Sequence, residues 1–352
     1  MNKSLKKYSI LKKDCLKWMS DNKNKVDCVI TSPPYNLDVK YGDYDDSMPR
    51  KDYLVWMDKV ALKMKHCLKK NGQIFLNIGY TNVDPFIAMD VAMVFRKHFI
   101  LQNQFTWVKH IAVNDTGYGQ YKPITSKRFV SVTNENIFHF TKKGDVEIDR
   151  LSIGQRNKTH PIWPELYSEG RHVANTRRSI ARLMKFENYK DVQNNATDKQ
   201  KKEFYKAVEK RLKEKPYQPD KLKCIGNCWY IPYTPTSKLS KLIGNEGDVN
   251  SRKAARANHP ATFPPALPEK CIKVSGVKKG SLIYDPFVGT GTTIVEAVKL
   301  NMIGVGTDIS KNFCDFTKKR VEYELKKITN NKNNKSLHKI NSDKKNIQES
   351  LF

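Results

Sequence analysis

The chain of 352 residues contains no uninterrupted apolar run of about 18 residues, which excludes a helical membrane span of ordinary length. Its first residues, Met1-Asn2-Lys3-Ser4-Leu5-Lys6-Lys7, are basic but lack the apolar centre of a secretory leader, so a cytoplasmic location is expected. Cysteine is sparse and unorganised. There are seven, an odd number scattered along the chain, which speaks for a reducing compartment and against a disulfide framework. Cys224 and Cys228 are the only near pair, and no second pair or close histidine completes a zinc set, so no metal is expected. No internal repeat is visible. Acidic residues are also few: 36 Asp and Glu face 64 Lys and Arg, a formal charge of +28. Part of that excess fits a generally Lys- and Asn-rich composition. The rest points to a polyanionic partner, because phosphates can be neutralised with release of counterions.

What is present has a rhythm. Val26–Ile30 is a short apolar run ending at a Pro-Pro turn, as a buried parallel strand would. From Asp52 to Leu68, Tyr53, Met57, Val60, Ala61, Met64 and Leu68 recur at helical spacing, and Asn71-Gly72 supplies the expected stop. Gln73–Ile78 follows as a strand, Asp84–His98 as a helix, and Ile100–Val108 and Asn136–Thr141 as strands. Near the other end, Ser281–Asp285 and Ile303–Ile309 read as strands around a helix over Thr293–Leu300. The alternation predicts an α/β fold with a mostly parallel sheet and helices on both faces. Between Lys143 and His259 the rhythm fails. That region is polar, basic and rich in Asn, Arg, Trp and Tyr, with an exposed basic helix expected over Lys199–Lys215 and ended by Pro216. Past Lys326 the chain is rich in Lys, Asn and Ser and is expected to be loosely ordered.

Two stretches carry the chemistry. In Asp285-Pro286-Phe287-Val288-Gly289-Thr290-Gly291-Thr292-Thr293 an acid ends a strand and two glycines open the next helix. Glycines permit a tight turn and close approach of backbone to a ligand. A carboxylate at the strand tip suits a ligand with an ammonium group better than a pyrophosphate. Asp308 closes the next strand, where an acid can grip ribose hydroxyls. The alternative for both aspartates is simple capping of a turn or helix end. Such a loop normally opens a doubly wound sheet, yet only one strand-helix-strand unit fits after it. The remaining strands must come from the N-terminal half, so the chain is circularly permuted relative to an ordinary nucleotide-binding domain.

The second stretch is Thr31-Ser32-Pro33-Pro34-Tyr35-Asn36. An aromatic amine is a poor nucleophile because its lone pair is delocalised into the ring. Acceptors on its two N–H groups favour the pyramidal form in which that pair is localised. Ser32 Oγ and the Pro33 carbonyl are suitable acceptors, made rigid by Pro33 and Pro34, and Tyr35 offers a face on which an extruded base can stack. Without its neighbours the stretch is an ordinary Pro-Pro turn with a packing tyrosine.

Together, Ser32–Tyr35 and Asp285-Pro286-Phe287-x-Gly289-x-Gly291 resemble the motifs of the DNA amino-methyltransferases of bacterial restriction–modification systems, and their order resembles the beta class. That resemblance implies a circularly permuted Rossmann-like domain using S-adenosyl-L-methionine on double-stranded DNA. A catalytic half is expected over residues 1–142, a target recognition region over 143–258, a cofactor half over 259–325 and a basic tail over 326–352. It also implies that His259, Pro260 and Phe263 line the methionine pocket and that Asp14 lies near the cofactor's adenine. Asn134–Phe140 is implied to flank the target-base pocket. Thr31 and Thr292 join Asp285, Pro286, Phe287, Gly289, Gly291 and Asp308 in the expected cofactor set. Ser32 stands where adenine-modifying members more often carry aspartate. Serine both accepts and donates, so cytosine N4 is favoured and adenine N6 is the alternative.

Within the inserted region, Arg171, Arg177 and Arg178 are the expected phosphate contacts, although most of its lysines are explained by a solvated charged surface. The expected partners are double-stranded DNA and, optionally, a cognate restriction endonuclease, with the protein a monomer or homodimer. Three other classes compete. An RNA methyltransferase would use the same chemistry, a nicotinamide dehydrogenase has no use for Ser-Pro-Pro-Tyr, and a non-catalytic DNA-binding module needs no intact cofactor loop.

Overall fold

Strands from the two ends of the chain share one sheet. The computed structural model describes residues 7–36, 46–113, 116–119, 127–156, 169–218, 222–224, 226–232 and 263–328. The N-terminal part supplies β1 (Tyr8–Lys12), α1 (Cys15–Asp21), β2 (Val26–Thr31), α2 (Arg50–Cys67), β3 (Leu68–Ile78), α3 (Ile87–Arg96), β4 (Ile100–Val113), β5 (Thr116–Gly119) and β6 (Asn134–Thr141). The middle holds β7 (Gln155–Arg156), α4 (Glu169–Leu183), α5 (Tyr189–Asn195), α6 (Asp198–Glu214) and β8 (Leu222–Lys223). Then follow β9 (Cys228–Pro232), α7 (Ala266–Ser275), β10 (Leu282–Asp285), α8 (Thr292–Lys299), β11 (Ile303–Asp308) and a terminal helix, α9, over 311–328.

The main sheet runs β1-β11-β10-β2-β3-β6-β4-β5, with β9 added beside β4. Pairing is parallel from β1 through β3 and antiparallel where β6 meets β3 and β4. The late strand β10 therefore lies beside the early strand β2, with Ile283 opposite Cys28 and Tyr284 opposite Val29. This is the permuted, mostly parallel sheet that the alternation predicts. Its central strands are apolar on both sides because helices cover both faces. Residues of α1, α2 and α3 form one apolar cluster with Val29, Ile74 and Tyr284, and Trp18 stacks on Tyr284 at 4.1 Å. Ile10 and Val288 form another with Ile294, Val298, Cys314 and Val321 of α8 and α9.

The chain divides into two compact units, residues 1–149 with 226–352, and residues 150–225. The second has a core of its own: Ile180, Ala181, Val192, Phe204 and Val208 hold α4, α5 and α6 together. Helix α6 opens with a Thr197–Gln200 capping box and ends before Pro216, close to the predicted span. Residues 143–149 and 226–232 of the expected inserted region belong to the first unit, where Trp229 of β9 stacks on Phe105 at 4.4 Å. Residues 329–352 lie outside the described residues.

One boundary differs from expectation. Helix α2 stops at Cys67, and Asn71-Gly72 falls inside β3. Leu68 pairs with Val26 while Gln73 pairs with Cys28, so the extra residues form a bulge. A Cβ on Gly72 would come within 2.7 Å of Leu68 Cδ2, so the glycine serves the bulge rather than a helix end. Strand β1, helix α1 and strand β9 were not anticipated: β1 buries Ile10 alone, and α1 and β9 span only seven and five residues, too short for their buried positions to stand out.

A buried polar chain ties the sheet to α7. Asn103 Nδ2 donates to His139 Nδ1 (2.9 Å), His139 Nε2 donates to Gln73 Oε1 (2.9 Å), and Gln73 Nε2 donates to the Ser275 carbonyl (2.7 Å). The tautomer follows from these partners. Burial pulls the His139 imidazole down to about 4. Because its folded pKa lies below the ordinary 6.5, the unfolded chain binds the extra proton. Stability carried by neutral His139 is therefore lost as pH falls from about 6.5 towards 4, up to roughly 3 kcal/mol. Urea unfolding of wild type and His139→Phe across this window should show the stability difference shrinking on acidification. A constant difference would contradict the assignment.

Candidate active site

Parallel pairing of β10 with β2 brings the carboxyl ends of both strands, and the loops that follow them, to one edge of the sheet. Ligand crevices of open α/β sheets form where neighbouring strands send their connections to opposite faces. Ser32, Pro33, Pro34 and Tyr35 from the early loop line one cavity with Asp285, Pro286, Phe287 and Gly289 from the late one. Asp14, Phe263, Thr292 and Asp308 complete the expected part of its wall, and the cavity volume is about 220 Å³. Thr31 and Gly291 stand behind the wall. His259 and Pro260 lie outside the described residues.

Asp285 is 2% exposed, yet it borders the cavity. Its Oδ1 accepts from Thr31 Oγ1 at 2.7 Å and from the Phe287 amide at 3.1 Å. Burial pushes this carboxyl up to about 6, against the hydrogen bonds that lower it. A cation arriving beside it would restore the charged form. Asp308 accepts from the Gly289 amide (3.0 Å) and the Ser310 amide (2.9 Å), so it braces the glycine loop as well as facing the cavity. Asp14 caps α1 by accepting from the Lys17 amide at 3.0 Å. The turn-capping roles weighed from the sequence for Asp285 and Asp308 are thus both present, alongside their place in the cavity wall, and Asp14 adds a helix cap of its own.

The glycine loop is also held from behind. Gly291 sits at φ 78°, and a Cβ there would fall 2.3 Å from Thr317 Cγ2. Thr317 Oγ1 donates to the Gly289 carbonyl at 2.7 Å. Arg320 donates to the Thr290 carbonyl (2.8 Å) and Thr292 Oγ1 (3.0 Å), and desolvation lowers its guanidinium to about 10. Neither α9 residue stood out in the sequence. Their spacing with Phe313 and Val321 on one helical face was the available signal.

On the other side, Tyr53 Oη donates to the Pro34 carbonyl at 2.8 Å, and Asn36, at φ 57°, donates its amide to Asp46 and its Nδ2 to the Met48 carbonyl. The Tyr35 hydroxyl meets Ser32 Oγ (2.7 Å), Asn77 Nδ2 (2.9 Å) and Glu135 Oε2 (3.0 Å). Gly79 makes room, since a Cβ there would lie 2.9 Å from Tyr35 Cε2. Asn77, Gly79 and Trp56 were missed by motif reasoning. Trp56 lines the cavity and packs against Phe287 at 5.5 Å. Among the described residues, no cluster of His, Cys, Asp or Glu could hold a metal ion, and no helix is long and apolar enough to cross a membrane.

In the second unit, Arg171 and Arg178 lie seven residues apart on the exposed side of α4. Arg177 instead stacks its guanidinium over Tyr189 at 5.0 Å from the ring centre.

A glycine loop and a Ser-Pro-Pro-Tyr turn thus share one cavity on a permuted doubly wound sheet. The family model described as DNA methylase matches residues 26–319, and the chain belongs to this N6/N4 DNA methylase family, the amino-methyltransferase class its motifs resemble. The type II methyltransferase M.HpaI of Haemophilus parainfluenzae is 22% identical over 308 residues, spanning 86% of this chain and 70% of that protein. M.BglII of Bacillus subtilis is 24% identical over 305 residues, 83% of this chain, which spans 62% of that relative's length. The structure of the PvuII DNA methyltransferase, described as cytosine-N4-specific, superposes with a TM-score of 0.53 at 16% identity. The match covers 89% of this chain and 86% of that one, a likeness of fold.

Gly291→Ala combines a strained positive φ with a clash against Thr317, and it should lower unfolding stability by about 1–3 kcal/mol. A urea midpoint equal to that of wild type would refute this packing.

Proposed function

We propose that the protein transfers a methyl group from S-adenosyl-L-methionine to the exocyclic amino group of a base flipped out of double-stranded DNA. Cytosine N4 is the favoured target and adenine N6 the alternative within the same chemistry. The observation that carries the proposal is the single cavity in which Asp285 and the glycine loop face Ser32–Tyr35.

The residues fit the cofactor. Asp285, buried with its carboxyl pushed up to about 6, is placed to neutralise the ammonium of the methionine part. Gly289 leaves backbone accessible at the wall, Phe263 and Phe287 supply apolar surface, and Asp14 and Asp308 offer carboxylates for the adenosine end. When bound, S-adenosyl-L-methionine supplies an electrophilic methyl group on a sulfonium. Ser32 Oγ and the Pro33 carbonyl accept the amino hydrogens, which favours a localised lone pair on nitrogen. Tyr35 supports the ring of the base, and its hydroxyl contacts keep that support rigid. No covalent intermediate with the protein is required, and the proton shed by the alkylated nitrogen leaves to solvent.

DNA contact is assigned chiefly to the basic unit of residues 150–225, with Arg171 and Arg178 as phosphate contacts and Arg177 as a weaker candidate because it already packs on Tyr189. We place the protein in the cytoplasm as the modification enzyme of a restriction–modification system, with a cognate endonuclease as an optional partner. His259 and Pro260 keep their proposed place beside the methionine part.

The decisive experiment is to incubate unmodified DNA with the protein and S-adenosyl-L-methionine, digest to nucleosides, and identify the product by mass spectrometry. N4-methylcytosine is expected; N6-methyladenine would move the target base, and the absence of both products would sink the proposal. Tyr35→Ala should slow single-turnover transfer by about 10²-fold or more with cofactor affinity retained. The carboxyl of Asp285 also sets a pH dependence. Protonation removes the charge that meets the ammonium, so the dissociation constant for S-adenosyl-L-methionine should rise as pH falls through about 6. Asp285→Asn should bind weakly with that dependence flattened, as read by calorimetry. An unchanged pH profile in the variant would exclude Asp285 as the ammonium partner.

A further inference from the structure

We propose that Glu135 is a positioning residue that sets which way the Ser32 hydroxyl points its proton, acting through Tyr35. The inference deepens the function proposed above and rests on the premise that Ser32 receives an N–H of the target amino group.

The protons around the Tyr35 hydroxyl can be counted. Glu135, 9% exposed on β6, is ion-paired through Oε1 with Lys109 of β4, and a carboxylate so paired can only accept hydrogen bonds. Tyr35 has a single hydroxyl proton, and the contact with Glu135 Oε2 at 3.0 Å commits it there. Asn77 of β3 turns its Nδ2 to the same two atoms, 2.6 Å from Glu135 Oε2 and 2.9 Å from Tyr35 Oη, and so donates to both. With its proton used, Tyr35 Oη can only accept from Ser32. The 2.7 Å contact between the two hydroxyls must therefore carry the serine's proton. Ser32 Oγ is left with lone pairs alone to present to a substrate.

That removes the ambiguity of serine at this position. A free serine can donate or accept, and a donating serine would oppose the N–H groups of an exocyclic amine. A serine whose proton is held by Tyr35 behaves as an acceptor, without placing a formal charge beside the Glu135 carboxylate. The network is buried, where an incorrectly directed proton is costly, because Asn77 is 2% exposed. Gly79 permits its assembly, since a Cβ there would lie 2.9 Å from Tyr35 Cε2 and 3.2 Å from Glu135 Oε1.

Glu135→Gln tests the relay because its amide can donate to Tyr35, which reverses the Tyr35 proton towards Ser32 and frees the serine to donate. Single-turnover methyl transfer to duplex DNA should slow by about 10- to 100-fold, with S-adenosyl-L-methionine affinity unchanged. In a Ser32→Ala background, Glu135→Gln should slow transfer little further, because no hydroxyl remains to orient. Equal losses in both backgrounds, or no loss in either, would overturn the proposal. Should Glu135→Gln lack a cooperative unfolding transition, Tyr35→Phe, which keeps the aromatic face and removes the oxygen, is run through the same cycle. A loss that vanishes in the Ser32→Ala background then supports the relay, and an equal loss in both backgrounds overturns it. Wild-type enzyme that methylates no amino nitrogen would defeat the proposed function and this inference together. Active wild type with additive losses would defeat this inference alone.

Discussion

The parallel pairing of Leu282–Asp285 with Val26–Thr31 joins residues more than 250 positions apart, and the rest of the site depends on it. The Thr31–Asp285 hydrogen bond closes this junction across a separation of 254 residues. Two strands hydrogen-bonded in parallel send their following loops out of the same edge of the sheet. A slip of one residue in this register would turn Asp285 away from the cavity wall and disrupt both loops together. Long-range parallel contacts of this kind form slowly, because chain closure precedes the contacts that reward it.

Around that junction the protein spends few charged groups, and each is constrained. Asp285 is buried among hydroxyl and amide donors that keep a carboxyl tolerable in a desolvated place. Arg320 braces the glycine loop with its guanidinium out of water, satisfied by threonine oxygens. Glu135 and Lys109 neutralise one another beneath Tyr35. Buried charge is stabilising only where partners and hydrogen bonds compensate its desolvation, so these groups impose geometry on the loops rather than adding much net stability.

The motifs were legible because each carries its chemistry in adjacent residues. Gly289 and Gly291 mark a tight turn, Pro33 and Pro34 a rigid one, and Asp285 a strand tip. Their order predicted a permuted sheet, since one strand-helix-strand unit after the loop cannot complete a doubly wound domain. Asn71-Gly72 misled because the dipeptide serves equally as a helix stop or a bulge, and only the pairing of Leu68 with Val26 decides between them. Strands β1 and β9 were illegible for a related reason. Ile10 is the single buried residue of β1, and the five-residue β9 joins the sheet by parallel pairing with β4, far away in sequence, where Trp229 stacks on Phe105.

Local sequence determined the turn-formers, the apolar strands and the identities of the groups that can bind an ammonium or accept an amine hydrogen. These follow from backbone preference and side-chain chemistry, which act over a few residues. Tertiary structure alone decided which side chains back them. Asn77 and the adjoining Gly79 at the end of β3 meet one tyrosine together with Glu135 of β6, which Lys109 of β4 neutralises, and Thr317 and Arg320 arrive from α9 to hold a loop. The direction of a hydroxyl proton depends on every donor and acceptor within about 3 Å, and that neighbourhood exists only once the sheet has closed.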